Sequence, residues 1–525
     1  MTQRHRTGAV AVLIALALCA GGCAGATGGV RGTPGSAGLR DPYFPKLGNG
    51  GYDAVHYALS LAYDPGTGRL DGTAEITARA TQDLSAFNLD LDGLTVSGAT
   101  VDGTRAAYHR AGHELTLRPH EEIPAGTEFR ATVTYAGVPE AITDADGSTE
   151  GWLRTAGGAV AVGEPEGSMT WFPGNHHPSD KAAYDIALTV PAGLDAFSNG
   201  VRTERWTGED GRVTSVWHSA EPMASYLATV AIGRYETGTA TADAGGGAGT
   251  GSDAGTHTDA GTHAGTHADA GNDAGPPPDA GTGSGSGDGD GDGDGDGDGD
   301  GDGSASVPVL TAVEPSVAAG SAALRDEIPV ILGRQAERFG PYPFSAAGAI
   351  VVQDGTLGYA LETQTRPVFP AASFDRTTLV HEMAHQWFGN SVTPATWRDL
   401  WLNEGFATYA EWLYAEQYEN VPARTHFERA FAQDANWAFP PAAPPAAENL
   451  FDAPVYQRGA MVLHKLRETV GDDVFDEILR GWPAKYRHAN ATTADFTAYA
   501  EGVAGKDLDA LWDVWLYGDG RPAGP

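Results

Sequence analysis

Hydrophobic and polar positions alternate with period two through much of the first 320 residues. Tyr57, Leu59, Leu61 and Tyr63 fall on one side of such a run, Asp64-Pro65-Gly66 supplies turn chemistry, and Ile76-Thr77-Ala78 lies in the next run. Side chains two apart on a strand share a face, so each run offers one apolar face to a core. Further strand-like runs occur at Phe87–Leu91, Leu115–Leu117, Phe129–Tyr135, Tyr184–Val190 and Tyr226–Ile232. Together they predict an all-β, sandwich-like domain over residues 43–320. From Ser321 onward the spacing becomes helical, at Ala322–Phe339, Thr377–Phe388, Leu400–Tyr418, Gly459–Val470 and Leu508–Tyr517, with Ala349–Val352 as a buried strand. Residues 321–525 are therefore expected to form a mostly helical domain with a small sheet, and the chain as a whole a multi-domain α+β protein.

One stretch has neither period. Residues 237–306 hold fourteen Asp and no Lys or Arg, first in Ala-Gly-Thr-His-Asp repeats and then in a Gly-Asp alternation from Gly287 to Gly303. Such a composition cannot bury a core and reads as a disordered, solvated spacer. Its aspartates and His257, His263 and His267 allow weak cation binding at most, since calcium β-roll repeats need a periodic apolar residue absent here. Because Val307–Ala312 is again strand-like, the stretch reads as an insertion within the β-domain. The whole chain carries 33 basic and 69 acidic side chains, a balance of −36. That excess argues against a nucleic-acid partner, whose phosphates are bound by Lys and Arg.

The first residues have the form of an export signal, with a basic head (Arg4, His5, Arg6) and an apolar stretch from Ala9 to Ala20 too short to span a bilayer comfortably. Ala20-Gly21-Gly22-Cys23 resembles a bacterial lipobox, which implies a lipid on Cys23 and a place on the outer face of the cytoplasmic membrane; plain secretion is the alternative. Residues 1–23 are read as the signal and 24–42 as a flexible tether. Cys19 and Cys23 are the two cysteines of the chain. After processing no disulfide remains to be formed, so stability rests on packing and on any metal.

The chemistry concentrates at residues 380–389, Val-His-Glu-Met-Ala-His-Gln-Trp-Phe-Gly. On a helix, His381 and His385 stand one turn apart on one face and can reach a single ion. Catalytic zinc takes imidazole nitrogen at about 2.0–2.1 Å and keeps three protein ligands plus water. Glu382 stands beside that ion, where a carboxylate can take a proton from water activated by the metal. Eighteen residues separate His385 from Glu404, which lies in Trp401-Leu402-Asn403-Glu404-Gly405-Phe406-Ala407 and supplies a third ligand from a second helix. Two independent helices agreeing on one ion point to one Zn2+ per chain. Glu411, seven residues after Glu404 and on the same helix face, is placed to orient a ligating histidine.

These motifs resemble the aminopeptidase N (membrane alanyl aminopeptidase) family of zinc metallopeptidases, over a span from about Tyr52 to Tyr517. The resemblance implies a β-domain followed by a thermolysin-like (gluzincin) catalytic domain. It implies hydrolysis of the N-terminal bond of peptides that have a free N-terminus. The family's Gly-x-Met-Glu-Asn motif corresponds to Tyr359-Ala360-Leu361-Glu362-Thr363, in which the glutamate that binds the substrate amine is retained as Glu362. Glu164, in Glu164-Pro165-Glu166-Gly167, stands where the family carries a second amine-binding residue. Tyr456, in Val455-Tyr456-Gln457-Arg458-Gly459, matches the tyrosine that hydrogen-bonds the oxyanion. His176, His177 and Trp387, Trp397 and Trp401 are read as structural.

Three other functions are open to the same sequence: a thermolysin-type endopeptidase, to which Tyr359 in place of glycine is relevant; a non-catalytic scaffold; and epoxide hydrolysis, for which no specific residue is present. Little sequence follows the catalytic domain, where many relatives carry a large helical domain that roofs the site, so a more open cleft is expected.

Overall fold

The computed structural model describes residues 30–144, 147–245 and 306–524. The expected signal, the lipobox and the Gly/Asp-rich stretch from 246 to 305 lie outside them. Among the described residues no helix is long and apolar enough to cross a membrane.

The alternating runs pair as the pattern requires. Tyr52–Asp64 runs antiparallel to Arg69–Ala80 and parallel to Lys181–Val190, and these strands form the middle of an eight-stranded sheet. Tyr57, Leu59, Leu61 and Tyr63 are all buried on one face. Two smaller sheets cover it, one of four strands containing Leu84–Asp90 and Glu114–Arg118, the other of five containing Thr149–Arg154 and Ala159–Val162. Rings from facing sheets interlock: Phe87 lies 5.7 Å from Tyr52 and 5.0 Å from Phe129, and Trp152 lies 5.0 Å from Tyr63. Each such side chain taken out of water stabilises the fold by about 1.5–3 kcal/mol, so the sandwich-like expectation rests on a continuous aromatic core. In place of a strand over Tyr226–Ile232 there is a tight turn, Ser225–Leu227, followed by a strand, Val230–Gly233.

Two features of the β-domain were not foreseen. The tether expected at 24–42 is packed from residue 30 onward. Thr33–Pro34 extends the four-stranded sheet by pairing with Leu84 and Ala86, and Asp41 accepts from the backbone of Tyr43, Phe44 and Trp397. These are backbone bonds, which a small-residue composition does not announce. The second feature is a like-charge pair, Asp90 opposite Glu114 across the antiparallel strands. Asp90 is fully buried and accepts from Gly48 N, Asn49 Nδ2 and His176 N. Burial, and for Asp90 also the charge of Glu114, pushes both carboxyls up to about 7.

Since the folded-state values lie above those of the unfolded chain, this pair stabilises the fold at acid pH. The contribution fades as pH rises from the unfolded-state values to about 7. Glu114→Gln is therefore expected to melt roughly 2 °C or more above the wild type at pH 8 and close to level with it at pH 4. Equal differences at the two pH values would contradict this.

The second half is helical around a four-stranded sheet ordered Glu236–Asp243, Ser306–Val313, Ala347–Val352, Val368–Pro370. This corrects the placement of Val307–Ala312 in the β-domain. That strand runs antiparallel to Glu236–Asp243 and parallel to Ala347–Val352, inside the sheet of the helical half. Period two fixes which side chains face inward but says nothing of which strand lies alongside. The change of architecture thus falls between Gly233 and Glu236, well before residue 320. The helices are Ala318–Phe339, Arg376–Ala384, Trp401–Tyr418, Ala423–Ala432, Gly459–Val470, Asp472–Lys485 and Thr493–Ala504. The helix expected over Leu508–Tyr517 is present as Asp509–Leu511 running directly into a π-helical stretch, Trp512–Leu516.

Candidate active site

Asp375 caps the helix Arg376–Ala384, its carboxylate accepting from Thr378 N. That start point brings His381 and His385 to one end of the helix, with ring centroids 4.8 Å apart. The regular helix stops at Ala384, short of the expected Phe388, and Gly389 takes a left-handed φ of 126° to turn the chain away. Glu404 comes from the first turn of Trp401–Tyr418. This helix crosses Gly459–Val470 so closely that a Cβ on Gly405 would lie 2.9 Å from the Cα of Gly459. The two glycines thereby set the distance between Glu404 and Tyr456, which stands just ahead of the second helix.

Glu404 Oε2 lies 3.2 Å from His381 Nε2 and 3.5 Å from His385 Nε2. Tetrahedral ligands at zinc-like bond lengths stand roughly 3.4 Å from one another, so the three donors fit one ion. The opposite ring nitrogens are engaged. His381 Nδ1 lies 2.6 Å from Glu411 Oε1, and His385 Nδ1 lies 3.1 Å from the Phe388 carbonyl. Since a carbonyl only accepts, His385 carries its proton on Nδ1 and presents the Nε2 lone pair to the shared point; the carboxylate of Glu411 favours the same tautomer in His381. The donor set therefore fits zinc in spacing and in the Nδ1 partners that leave each Nε2 facing the shared point.

Around these donors opens a cleft of about 900 Å³, which brings together all eight residues singled out from the sequence: Glu164, Glu362, His381, Glu382, His385, Glu404, Glu411 and Tyr456. Glu382, Glu362 and Glu164 are buried, and each has a carboxylate oxygen without a protein partner. Among the described residues, no Lys or Arg lines the cleft. Burial, with Glu362 and Glu404 close by, pushes Glu164 well above the usual carboxylate range. Burial likewise raises Glu382 to about 8 against the pull of the two imidazoles, whereas His385 and His381 overcome burial at Glu404 and hold it at about 2. A buried pocket so rich in carboxylate and so poor in fixed cations is a receptor for cations.

Tyr456 sits in the wide turn Pro454–Arg458, with its ring stacked 6.1 Å from that of His381. Burial and the surrounding carboxylates raise its phenol well above the ordinary value, so it is a proton donor at neutral pH. The turn is pinned by Arg458, whose buried guanidinium donates to carbonyls of Phe439, Val514 and Trp515 and lies over Trp437. His176 and His177 are away from the cleft, bonded to Phe172 O and Asp41, and Trp387, Trp397 and Trp401 are fully buried packing.

Several participants were not singled out from the sequence. Tyr226, from the β-domain, places its hydroxyl 3.5 Å from Asn403 Nδ2 next to Glu404, with Glu164 and Glu362 near enough to raise its phenol further. Phe451, Thr377 and Thr378 line the wall as well; of these only Thr377 and Thr378, one turn before the first histidine, carried a usable positional signal. Tyr359, singled out above for standing where the family has glycine, spans the two halves by donating to Thr149 O.

Comparison with known proteins agrees with this geometry. The peptidase M1 N-terminal domain matches residues 53–227 and the peptidase family M1 domain matches residues 369–515. The chain belongs to peptidase family M1. An M1 zinc metallopeptidase from Deinococcus radiodurans superposes with a TM-score of 0.76 at 28% identity, over 93% of this chain and 98% of that one. A two-domain M1 zinc metallopeptidase bound to L-arginine gives a TM-score of 0.77, also at 28% identity, over 93% and 99%. The β-rich domain followed by a helical domain is therefore the two-domain M1 arrangement. Among curated relatives, aminopeptidase N of Lactococcus lactis is 34% identical over 167 residues, covering 29% of this chain and 20% of the relative. Aminopeptidase M1-A of Oryza sativa is 27% identical over 392 residues, covering 69% and 37%. The chain thus spans well under half the length of these curated relatives.

Proposed function

We propose that the protein is a zinc-dependent aminopeptidase with one metal per chain, releasing the first residue of peptides that have a free N-terminus. The observation that carries this reading is the pairing of a His381–His385–Glu404 donor set with two further buried, partly unpartnered carboxylates, Glu362 and Glu164. The first set accommodates a divalent cation and the second an ammonium group, for which buried carboxylates are the strongest acceptors.

His381, His385 and Glu404 would hold zinc, which supplies Lewis acidity toward water and a peptide carbonyl. Glu362 and Glu164 fix the α-ammonium and so place the first peptide bond beside Glu382. With a divalent cation held beside it favouring the ionised form, Glu382 would take a proton from the attacking water and pass it to the departing amine, ending as the carboxylate it began as. The Tyr456 hydroxyl donates to the oxygen that gains charge during attack. Glu411 holds the His381 ring in its tautomer. The D. radiodurans relative, as a Glu-to-Ala variant, has been solved bound to a Tyr-Ser-Ala substrate, and short peptides of this kind are proposed as substrates here.

The test is to compare an amino-acid arylamide with an N-acetylated peptide. Cleavage of only the blocked peptide would favour the endopeptidase reading, and cleavage of neither by the zinc-loaded protein would favour a scaffold. The basic head and the sequence Ala20-Gly21-Gly22-Cys23 support export, with a lipid on Cys23 as the proposed anchor and plain secretion as the alternative.

A further inference from the structure

Glu362 and Glu164 belong to different halves of the molecule, yet an amine site needs their separation fixed. Glu362 opens a tight loop closed at its base by reciprocal backbone bonds between Leu361 and Val368, 2.9 and 2.8 Å. The loop crosses into the β-domain. Residues 362 to 366 are all buried, and Thr365 adopts a left-handed φ of 69°, a conformation a β-branched residue holds only when its surroundings enforce it.

Gln386 of the helical half accepts from Thr365 N (2.8 Å), and the remaining enforcing contacts come from the β-domain. Asn199 Nδ2 donates to Gln364 O (2.7 Å) and to Leu227 O (2.9 Å), while its Oδ1 accepts from Thr229 N (2.8 Å). Gln364 N donates to Leu227 O, and Gly200 N to Thr365 Oγ1. Arg366 donates to the carbonyls of Ser198 and Gly200 and lies 4.7 Å over the Trp217 ring. Among the described residues no carboxylate pairs with this buried guanidinium, an arrangement that costs desolvation without a compensating ion pair. Glu164 is tied to the same frame, since Ser168, in the turn just after it, donates to Ser225 O (2.6 Å). From the metal side, Asn390 Nδ2 donates to Glu362 O (2.7 Å), and Lys181 Nζ holds the Asn390 carbonyl (3.0 Å).

We infer that Asn199 and Arg366 are positioning residues for amine recognition, clasping the Glu362 loop onto the frame of residues 198–200 and 225–229 that also holds the Glu164 turn. The inference rests on the aminopeptidase reading. It extends that reading to residues that touch neither substrate nor metal.

The test compares inhibition by an amino-acid hydroxamate and by its N-acetylated counterpart, because the ratio of the two constants reports the amine site separately from the metal. Asn199→Ser removes the double donor and Arg366→Lys keeps the charge but loses the fork; each is measured as folded, zinc-loaded enzyme, with thermal melting and zinc content checked against the wild type. In each variant the preference for the free amine is expected to shrink on the order of tenfold, with zinc content and the N-acetyl constant unchanged. A ratio equal to that of the wild type in both variants would overturn the inference, as would a parallel weakening of both ligands, which is what a general structural role predicts. A wild type without any preference for the free amine would instead refute the aminopeptidase reading itself.

Discussion

Glu382→Gln is expected to keep its zinc and to lose arylamide turnover by about 10²–10⁴-fold in kcat. The substitution preserves size and shape but removes the ability to accept a proton. Glu382 is buried within the zinc-donor cluster, and its free Oε2 is bonded to nothing else in the protein. The two histidines cannot take over, since each presents Nε2 to the shared point and holds its other nitrogen against Glu411 or Phe388 O. The substituted amide would still lie beside intact ligands, so metal analysis separates loss of the base from loss of the ion. A variant that retains zinc and turns over within tenfold of the wild type would remove Glu382 from its role.

The second large effect is expected at the amine site. Hydrogen bonds to charged groups contribute about 1.5–3 kcal/mol each, so Glu362→Ala should lower kcat/KM for a free-amine substrate by roughly 10–100-fold. Zinc should stay bound, because His381, His385 and Glu404 hold it without Glu362. The loss should fall short of complete. Removing one carboxylate also relieves the repulsion that adds to burial in raising Glu164, leaving Glu164 better able to bind the ammonium alone. Steady-state kinetics across arylamides would show this, and an unchanged kcat/KM would mean that the amine does not sit at Glu362.

The candidate metal and base residues were legible in the sequence because their chemistry is local. His381, Glu382 and His385 occupy one helix turn, Glu404 and Glu411 lie on one face of another, and each spacing translates directly into direction. The buried faces of the long strands were legible for the same reason. What could not be read depends on partners far away along the chain. Asp41 capping the backbone at Trp397, and the alignment of Ser306–Val313 beside Ala347–Val352, are fixed by tertiary packing that leaves no periodic trace. Tyr226 was expected in a strand and instead sits in a turn facing the metal donors. The close crossing at Gly405 and Gly459 was hidden as well, since a glycine in a helix announces neither the neighbour it admits nor the distance it sets.

The central claim is that one cluster binds a metal and the adjoining carboxylates count from the chain end. The most direct measurement is hydrolysis of an amino-acid arylamide and of the same compound N-acetylated, by the zinc-loaded wild type under identical conditions. The free amine is expected to be hydrolysed and its acetylated form to be inert within detection. Equal rates on the two, or cleavage of the blocked compound alone, would contradict the assignment of Glu362 and Glu164 and with it the aminopeptidase reading.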